Sequence, residues 1–286
     1  MAEQGATVAE AIRDAAQRLA AASDTARLDA EVLMAHALGA DRSALLLRHM
    51  RDPAPGSFAA MIERRAASEP VAYITGHQEF FGLPFIVDPD VLIPRGDSET
   101  LVEAAIAARP DARSVLDCGT GSGALLLAVL ANLPEARGLG IDRSPGALAI
   151  AAANARALGL GDRAELVVAD WHAPGWSEAT GGPFDLVLAN PPYVEDGAVL
   201  DTSVRAFEPA GALFSGPEGL DDYRVLVPQL PGLITPGGIA LVEIGHEQAA
   251  AVMAIGTDCG LASQLYRDLA GRARVIAFSV GNVSTG

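Results

Sequence analysis

The apolar positions of the first part of the chain recur at helical spacing. Val8, Ile12, Ala15 and Leu19 form one such series, and Leu28, Val32, Ala35 and Leu38 form another before a stop at Gly39. Asp41 reads as the N-cap of a helix over Arg42 to Arg48. Pro53-Ala54-Pro55-Gly56 breaks the pattern and Phe58 to Ala67 restores it, so residues 7–68 predict a small helical bundle. The period then changes. Phe80-Phe81-Gly82-Leu83-Pro84-Phe85-Ile86-Val87 is rich in aromatic and β-branched residues around a turn signal, which predicts a hairpin. Ser98 to Ala108 reads as a helix with Glu99 and Glu103 on its polar side. From Ser114 onward short apolar runs alternate with helical stretches. The predicted strands are Ser114–Asp117, Arg137–Ile141, Ala164–Val168, Asp185–Ala189, Gly238–Ile244 and Val275–Val280. Gly181-Gly182-Pro183 and the stretch from Glu195 to Gly219 read as loops. Such alternation predicts an α/β fold with a doubly wound, mostly parallel sheet. The expected organisation is a helical domain over 1–69, a β-hairpin connector over 70–94 and a main domain over 95–286.

Composition narrows the setting. The chain has 286 residues, of which half are hydrophobic, enough for a main core and a smaller one. Its two cysteines, Cys118 and Cys259, are too few and too far apart for a disulfide framework or a zinc pattern, so no metal site is expected. Such sparse use fits a reducing compartment, and the cytoplasm is expected. The N-terminal Met1–Gly5 lacks a basic stretch followed by an apolar core, and the longest mainly apolar stretch, Ala124 to Leu133, is too short to span a bilayer. A formal charge of −16 opposes binding to a phosphate backbone, so direct DNA binding is not expected. A monomer is expected.

The tetrapeptide Asn190-Pro191-Pro192-Tyr193 carries the most chemistry. It follows the apolar run Phe184 to Ala189, and its prolines end that strand. An amide oxygen and bare carbonyls at a strand's C-terminal end can accept both hydrogens of a planar –NH2, and an aromatic ring can stack on its face. Upstream, Gly119-Thr120-Gly121-Ser122-Gly123 joins a strand to a helix, where glycines permit sharp turning and close approach to a ligand. Asp142 follows at the end of the next strand, about 20 residues on, the usual distance for a carboxylate that binds ribose hydroxyls. Asp170-Trp171 ends the third strand and offers an acid and a ring to flank an adenine, the alternative for Trp171 being interior packing. The glycines follow Gly-x-Gly-x-Gly, with Ala124 where a dinucleotide fingerprint has its last glycine. The set favours S-adenosylmethionine over a nicotinamide cofactor. Asp117 reads either as a partner for the cofactor's ammonium or as a structural strand end.

These motifs together resemble class I S-adenosylmethionine methyltransferases that act on nitrogen. Further segments narrow the resemblance: Glu69-Pro70-Val71-Ala72-Tyr73-Ile74-Thr75-Gly76, Glu79-Phe80-Phe81-Gly82-Leu83 and Val91-Leu92-Ile93-Pro94-Arg95. With Glu208-Pro209, Gly219-Leu220, Tyr223-Arg224, Glu243-Ile244-Gly245 and Asp268-Leu269-Ala270-Gly271-Arg272, they are similar to the release factor glutamine methyltransferases. The resemblance runs from about Leu28 to Val280. It implies a helical N-terminal domain, a hairpin connector and a seven-stranded Rossmann-like methyltransferase sheet. It implies transfer to the side-chain amide (N5) of the glutamine in the Gly-Gly-Gln motif of class 1 peptide chain release factors, the protein partners. By the same carry-over, Gly119, Thr120, Gly121, Ser122 and Gly123 cradle the cofactor, Asp142 takes the ribose, and Asp170 and Trp171 border the adenine. Asn190, Pro191, Pro192 and Tyr193 hold the substrate glutamine, with Asn190, Pro191 and Tyr193 at the chemistry and Asn190 also beside the cofactor. The family usually has Pro and Thr where this chain has Gly96 and Ser98, and an aliphatic residue where it has Cys118. Ser98 is expected to keep a hydroxyl cap.

Asn190 Oδ1 and the Pro191 carbonyl are expected to accept the two amide hydrogens, with Tyr193 packed on the amide plane. His77, His172 and His246 are base candidates by chemistry only, and Glu79 and Glu243 read first as structural. The alternatives are a ribosomal-protein glutamine N5-methyltransferase with the same chemistry, a DNA adenine methyltransferase, which the charge disfavours, and a non-enzymatic binding protein on the same fold.

Overall fold

A computed structural model describes residues 6–280. Met1–Gly5, read above as lacking a leader, and residues 281–286 lie outside them. The chain forms two compact units, one made of the residues up to His77 with Leu200–Phe207, the other of Gln78–Val199 and the residues from Glu208 on.

The first unit is helical. Thr7 and Glu10 close a reciprocal capping box at the start of the helix Val8–Leu19, whose Val8, Ile12, Ala15 and Leu19 are buried. Asp41 Oδ1 accepts from the Ala44 N–H at 2.7 Å, so it caps as expected, although the turn that follows over Leu45–His49 is a π-helix. The unit buries two acids, Asp29 and Glu31, each against an arginine: Arg65 Nε lies 2.7 Å from Asp29 and Arg42 Nη2 lies 2.6 Å from Glu31. One sequence expectation needs correction. The stretch from Glu195 to Gly219 is not wholly loop, because Thr202–Phe207 is a helix and Ala210–Ala212 a 3-10 turn. Asp201 starts the helix by accepting from the Ser203 N–H at 2.7 Å. Six residues are too few to show a helical period.

Strands β1 (His77–Phe80) and β2 (Leu83–Ile86) form the expected hairpin. Phe81 at φ 52° and Gly82 at φ 71° supply the two left-handed positions of a type I′ turn. The main sheet contains β3 (Ser114–Cys118), β4 (Arg137–Asp142), β5 (Ala164–Val168), β6 (Phe184–Ala189), β7 (Ile234–Glu243), β8 (Leu261–Arg267) and β9 (Ala273–Val280). Their order is β5-β4-β3-β6-β7-β9-β8, parallel except for β9, which runs antiparallel to both β7 and β8. The run Ala262-Ser263-Gln264 is too polar for β8 to stand out in the sequence, as befits a half-exposed edge strand. With it the sheet has the seven strands that the resemblance implied.

Register places the functional residues. Cys118, the last residue of β3, pairs with Ile141 on one side and Ala189 on the other. Gly119 and Asn190 follow at once, and Asp142 is the last residue of β4, so the three motifs stand at one level where the strand order reverses. In open α/β sheets that switch point is where ligands bind.

Asn154, fully buried on the helix Pro145–Ala157, ties the hairpin to this edge. Its Oδ1 accepts from the Ile86 N–H at 2.7 Å, and its Nδ2 donates to the carbonyls of Ile86 at 3.0 Å and Ser122 at 2.8 Å. Replacing Asn154 by Ala strands buried backbone groups and is expected to cost about 2–4 kcal/mol of stability in urea denaturation. A loss below about 1 kcal/mol would contradict this bridging role.

Candidate active site

Gly119, Gly121 and Gly123 have φ values of 75°, 55° and 81°, a left-handed conformation that glycine adopts without strain. At Gly119 there is a second constraint, since a Cβ there would lie 2.9 Å from the Trp171 ring. The loop is pinned from both sides. The N–H groups of Gly119 and Thr120 donate to the Ile141 carbonyl at 2.9 and 2.8 Å. Asp142 accepts from the Gly121 N–H at 2.9 Å and from the Ser144 N–H at 2.8 Å. Its carboxylate therefore orients the loop and caps the next helix, and each oxygen keeps lone pairs for a ribose.

Asp117 is fully buried and stands off the cleft wall. It holds the loop from beneath by accepting from the Thr120 hydroxyl at 2.7 Å. Burial pushes its carboxyl up to about 7 against the pull of that hydroxyl. The bond to Thr120 is of the structural kind, while the buried Oδ1 has no hydrogen-bond partner among the described residues. Cys118 is equally buried, and burial drives its thiol well above the ordinary range.

A cleft of about 340 Å³ opens over this edge of the sheet. Its walls bring together Gly119, Thr120, Gly121, Ser122, Asp142, Asp170, Trp171, Asn190 and Pro192. Gly123, Pro191 and Tyr193 are not on them. The glycine serves the turn and close packing on Leu127 and Ala151. Tyr193 instead packs, partly buried, against the core around Leu116, Val187 and Val242, and burial, with the nearby Glu243 charge adding, pushes the phenol up to about 12. Asp170 folds back to accept from the His172 N–H at 2.9 Å.

Three side chains that sequence reasoning did not single out support the walls. Asp222, buried, accepts from Trp171 Nε1 at 3.2 Å, pairs with His172 Nε2 at 2.9 Å and takes the Ser215 hydroxyl at 2.7 Å. It thus fixes the indole and occupies His172. Glu208 accepts from the Ile93 N–H at 3.2 Å and pairs with Arg95. Glu208 belongs to a motif noted for the resemblance, its only signal, whereas Asp222 lies between two such motifs and had none. Gln248 Nε2 donates to the Tyr193 carbonyl at 3.0 Å and steadies the far end of the tetrapeptide.

Ser98 corrects an expectation. It ends the 3-10 turn Gly96–Ser98 with helical backbone angles and makes no capping bond to the helix Glu99–Ala108. Its hydroxyl instead accepts from Asn190 Nδ2 at 3.5 Å. His77, Glu79 and His246 are exposed, and His246 pairs only loosely with Glu247 at 3.7 Å. None of the three lines the cleft.

The residues fit an adenosyl sulfonium. Glycine turns with a close backbone approach suit its methionine part, a carboxylate already fixed by two N–H groups suits the ribose, and an indole locked by Asp222 suits the base. Among the described residues no cluster of His, Cys, Asp or Glu is arranged to hold a metal, and no helix is long and apolar enough to cross a membrane.

Residues 10–76 match the family described as PrmC N-terminal domain, and residues 115–211 match a methyltransferase domain family. The release factor glutamine methyltransferase of Moorella thermoacetica is 44% identical over 278 residues, which cover 94% of this chain and 96% of that protein. The enzyme of the same name from Cereibacter sphaeroides is 44% identical over 277 residues, covering 94% and 97%. Among solved structures, a methyltransferase from Pyrococcus furiosus superposes with a TM-score of 0.50 at 16% identity over 79% of this chain and 98% of that one, a likeness of fold.

Proposed function

The chain belongs to the release factor glutamine methyltransferases, and from that premise we propose that it methylates the N5 amide nitrogen of the glutamine in the Gly-Gly-Gln motif of class 1 peptide chain release factors. One observation carries the reading: Asn190 shares a cleft with the glycine loop and Asp142, at the level where β3, β4 and β6 end.

When bound, S-adenosylmethionine supplies an electrophilic methyl group on a sulfonium whose departure leaves a neutral thioether. Gly119 to Ser122 would hold its methionine part, Asp142 its ribose, and Trp171 its adenine. The chain's own task is alignment, because an amide nitrogen is a weak nucleophile whose lone pair is delocalised. Asn190, on the cleft wall, would accept an amide hydrogen of the glutamine at its Oδ1. That fixes the nitrogen and favours the positive charge that develops on it. Tyr193, packed on the core and held at its carbonyl by Gln248, keeps the tetrapeptide stiff. The alkylated nitrogen is a strong acid, so its proton passes to water without a dedicated base. His172 is held by Asp222, which agrees with that.

The test offers the full chain, with methyl-labelled S-adenosylmethionine, a class 1 release factor, the same factor with the motif glutamine replaced, and a ribosomal protein. Label on the intact factor alone is expected. Label on the ribosomal protein alone would transfer the assignment to the alternative with the same chemistry.

A further inference from the structure

The motif Asp268-Leu269-Ala270-Gly271-Arg272, noted above for the resemblance, does not line the cleft. It forms the turn between β8 and β9. Leu269 is 107% exposed, more than any other large apolar side chain among the described residues. A single exposed leucine is ordinary on a protein surface, but the turn that carries this one is closely held. Asp268 Oδ1 accepts from the N–H groups of Ala270 at 3.0 Å and Arg272 at 2.9 Å, and its Oδ2 accepts from Arg274 Nη2 at 3.2 Å. The Asp268 N–H donates to the Arg272 carbonyl at 2.9 Å, and the Gly271 N–H to the Asp268 carbonyl at 2.8 Å. Arg267 Nη1 closes on the Gly271 carbonyl at 2.9 Å. Folding fixes this backbone and gains nothing from the leucine. A side chain held out on a fixed turn loses little entropy when a partner covers it.

Register places the turn at the working edge of the sheet. Ala189 of β6 pairs with Val242 of β7, Glu243 of β7 with Val275 of β9, and Ala273 of β9 with Arg267 of β8. The turn therefore leaves the sheet at the same end as Asn190. The candidate cofactor residues take the other half of that edge: Gly119 to Ser122 follow β3, Asp142 ends β4, and Asp170 and Trp171 follow β5. The half from β6 onward is left for the acceptor. Side chains make it continuous with the cleft. Arg274 Nη2 reaches both Asp268 and, at 2.8 Å, Asp97. The residue after Asp97 is Ser98, which lines the cleft and lies 3.5 Å from Asn190 Nδ2. Neighbouring strands lie about 4.8 Å apart, so the turn stands roughly 12 Å from the end of β6. A folded protein whose glutamine reaches Asn190 brings its surrounding surface over a point that close.

We propose that the β8–β9 turn is a docking point for the protein substrate, with Leu269 seated in an apolar socket of the partner and Arg272 beside it on a carboxylate or carbonyl oxygen. Arg272 is exposed, and its guanidinium has no hydrogen bond or ion pair among the described residues. The occupant is a folded protein rather than a short peptide. Three extended residues span only about 10 Å and end short of the turn. A phosphate backbone is disfavoured by the formal charge of −16. The inference deepens the reading above and rests on it for the identity of the substrate.

The test uses the full chain, S-adenosylmethionine and an intact class 1 release factor. L269D is expected to raise KM for the factor by about tenfold or more, with kcat at saturation held within about twofold. Cofactor affinity by calorimetry and the melting temperature are expected to stay unchanged, because the side chain stands in solvent. L269M keeps the apolar volume and is expected to hold KM within about twofold. R272A is expected to raise KM by about threefold or more, and an unaltered KM would remove Arg272 from the contact. A KM for L269D within about twofold of the unmodified protein would overturn the docking role. So would a fall in kcat or in cofactor affinity at unchanged KM, which would show that the turn acts on the cleft instead. If the unmodified protein labels a ribosomal protein and not the factor, the substrate reading falls, and the same KM comparison on that protein judges the turn. Labelling of neither overturns both.

Discussion

Replacing Asn190 by Ala is expected to lower kcat for methyl transfer by about 10²–10³-fold, with cofactor affinity held within a factor of about two. The loss is confined to kcat because the Asn190 oxygen matters most when the substrate nitrogen begins to carry positive charge. In the ground state the same nitrogen is nearly neutral, and the oxygen contributes little to binding. Alanine also leaves the backbone of the tetrapeptide in place, since Pro191 and Pro192 remain buried and Gln248 still holds the Tyr193 carbonyl. Single-turnover rates at saturating cofactor, set beside calorimetric cofactor binding, check this directly. A variant that loses affinity in step with rate would show that Asn190 serves the cofactor rather than the acceptor.

The second large effect is of the opposite kind. Replacing Asp142 by Ala is expected to weaken cofactor binding by about 10²-fold or more, and to change kcat at saturation far less. Two losses add here. The ribose loses its carboxylate, and the N–H groups of Gly121 and Ser144 lose the acceptor that fixes the loop. The Ile141 carbonyl still anchors Gly119 and Thr120, so the fold is expected to survive. Titration calorimetry measures the affinity, and a dissociation constant unchanged within about twofold would contradict the role assigned to Asp142. The two variants together separate alignment of the acceptor from retention of the donor.

Most of the sheet was legible in the sequence because its strands are short apolar runs set between helical stretches, and the central ones, β3 and β6, are almost wholly buried. Ala164–Val168 was read with the bounds observed, and β3, β4 and β6 to within a residue at each end. Strand β8 was not, because its polar run Ala262-Ser263-Gln264 breaks the apolar pattern that the other edge strand, β5, keeps. The glycine loop, Asp142, Trp171 and Asn190 were legible because each lies within a few residues of a strand end. Their supports were not. Asn154 meets its partner Ile86 across 68 residues of sequence, Asp222 meets Trp171 across 51, and Arg95 meets Glu208 across 113. Nothing local marks such pairs. Ser98 shows the same limit, since a hydroxyl before a helix reads as a cap and only the fold reveals that it faces Asn190.

The central claim is that the planar amide held at Asn190 belongs to the motif glutamine of a release factor. The most direct measurement is the mass spectrum of the Gly-Gly-Gln peptide of class 1 release factors from cells with and without this protein. The account predicts that the glutamine carries one added methyl group in the presence of the protein. It predicts an unmodified glutamine when the gene is deleted, with the methyl restored by the unaltered chain and not by N190A. A methylated glutamine that persists in the deletion, with no other enzyme able to supply it, would contradict the account.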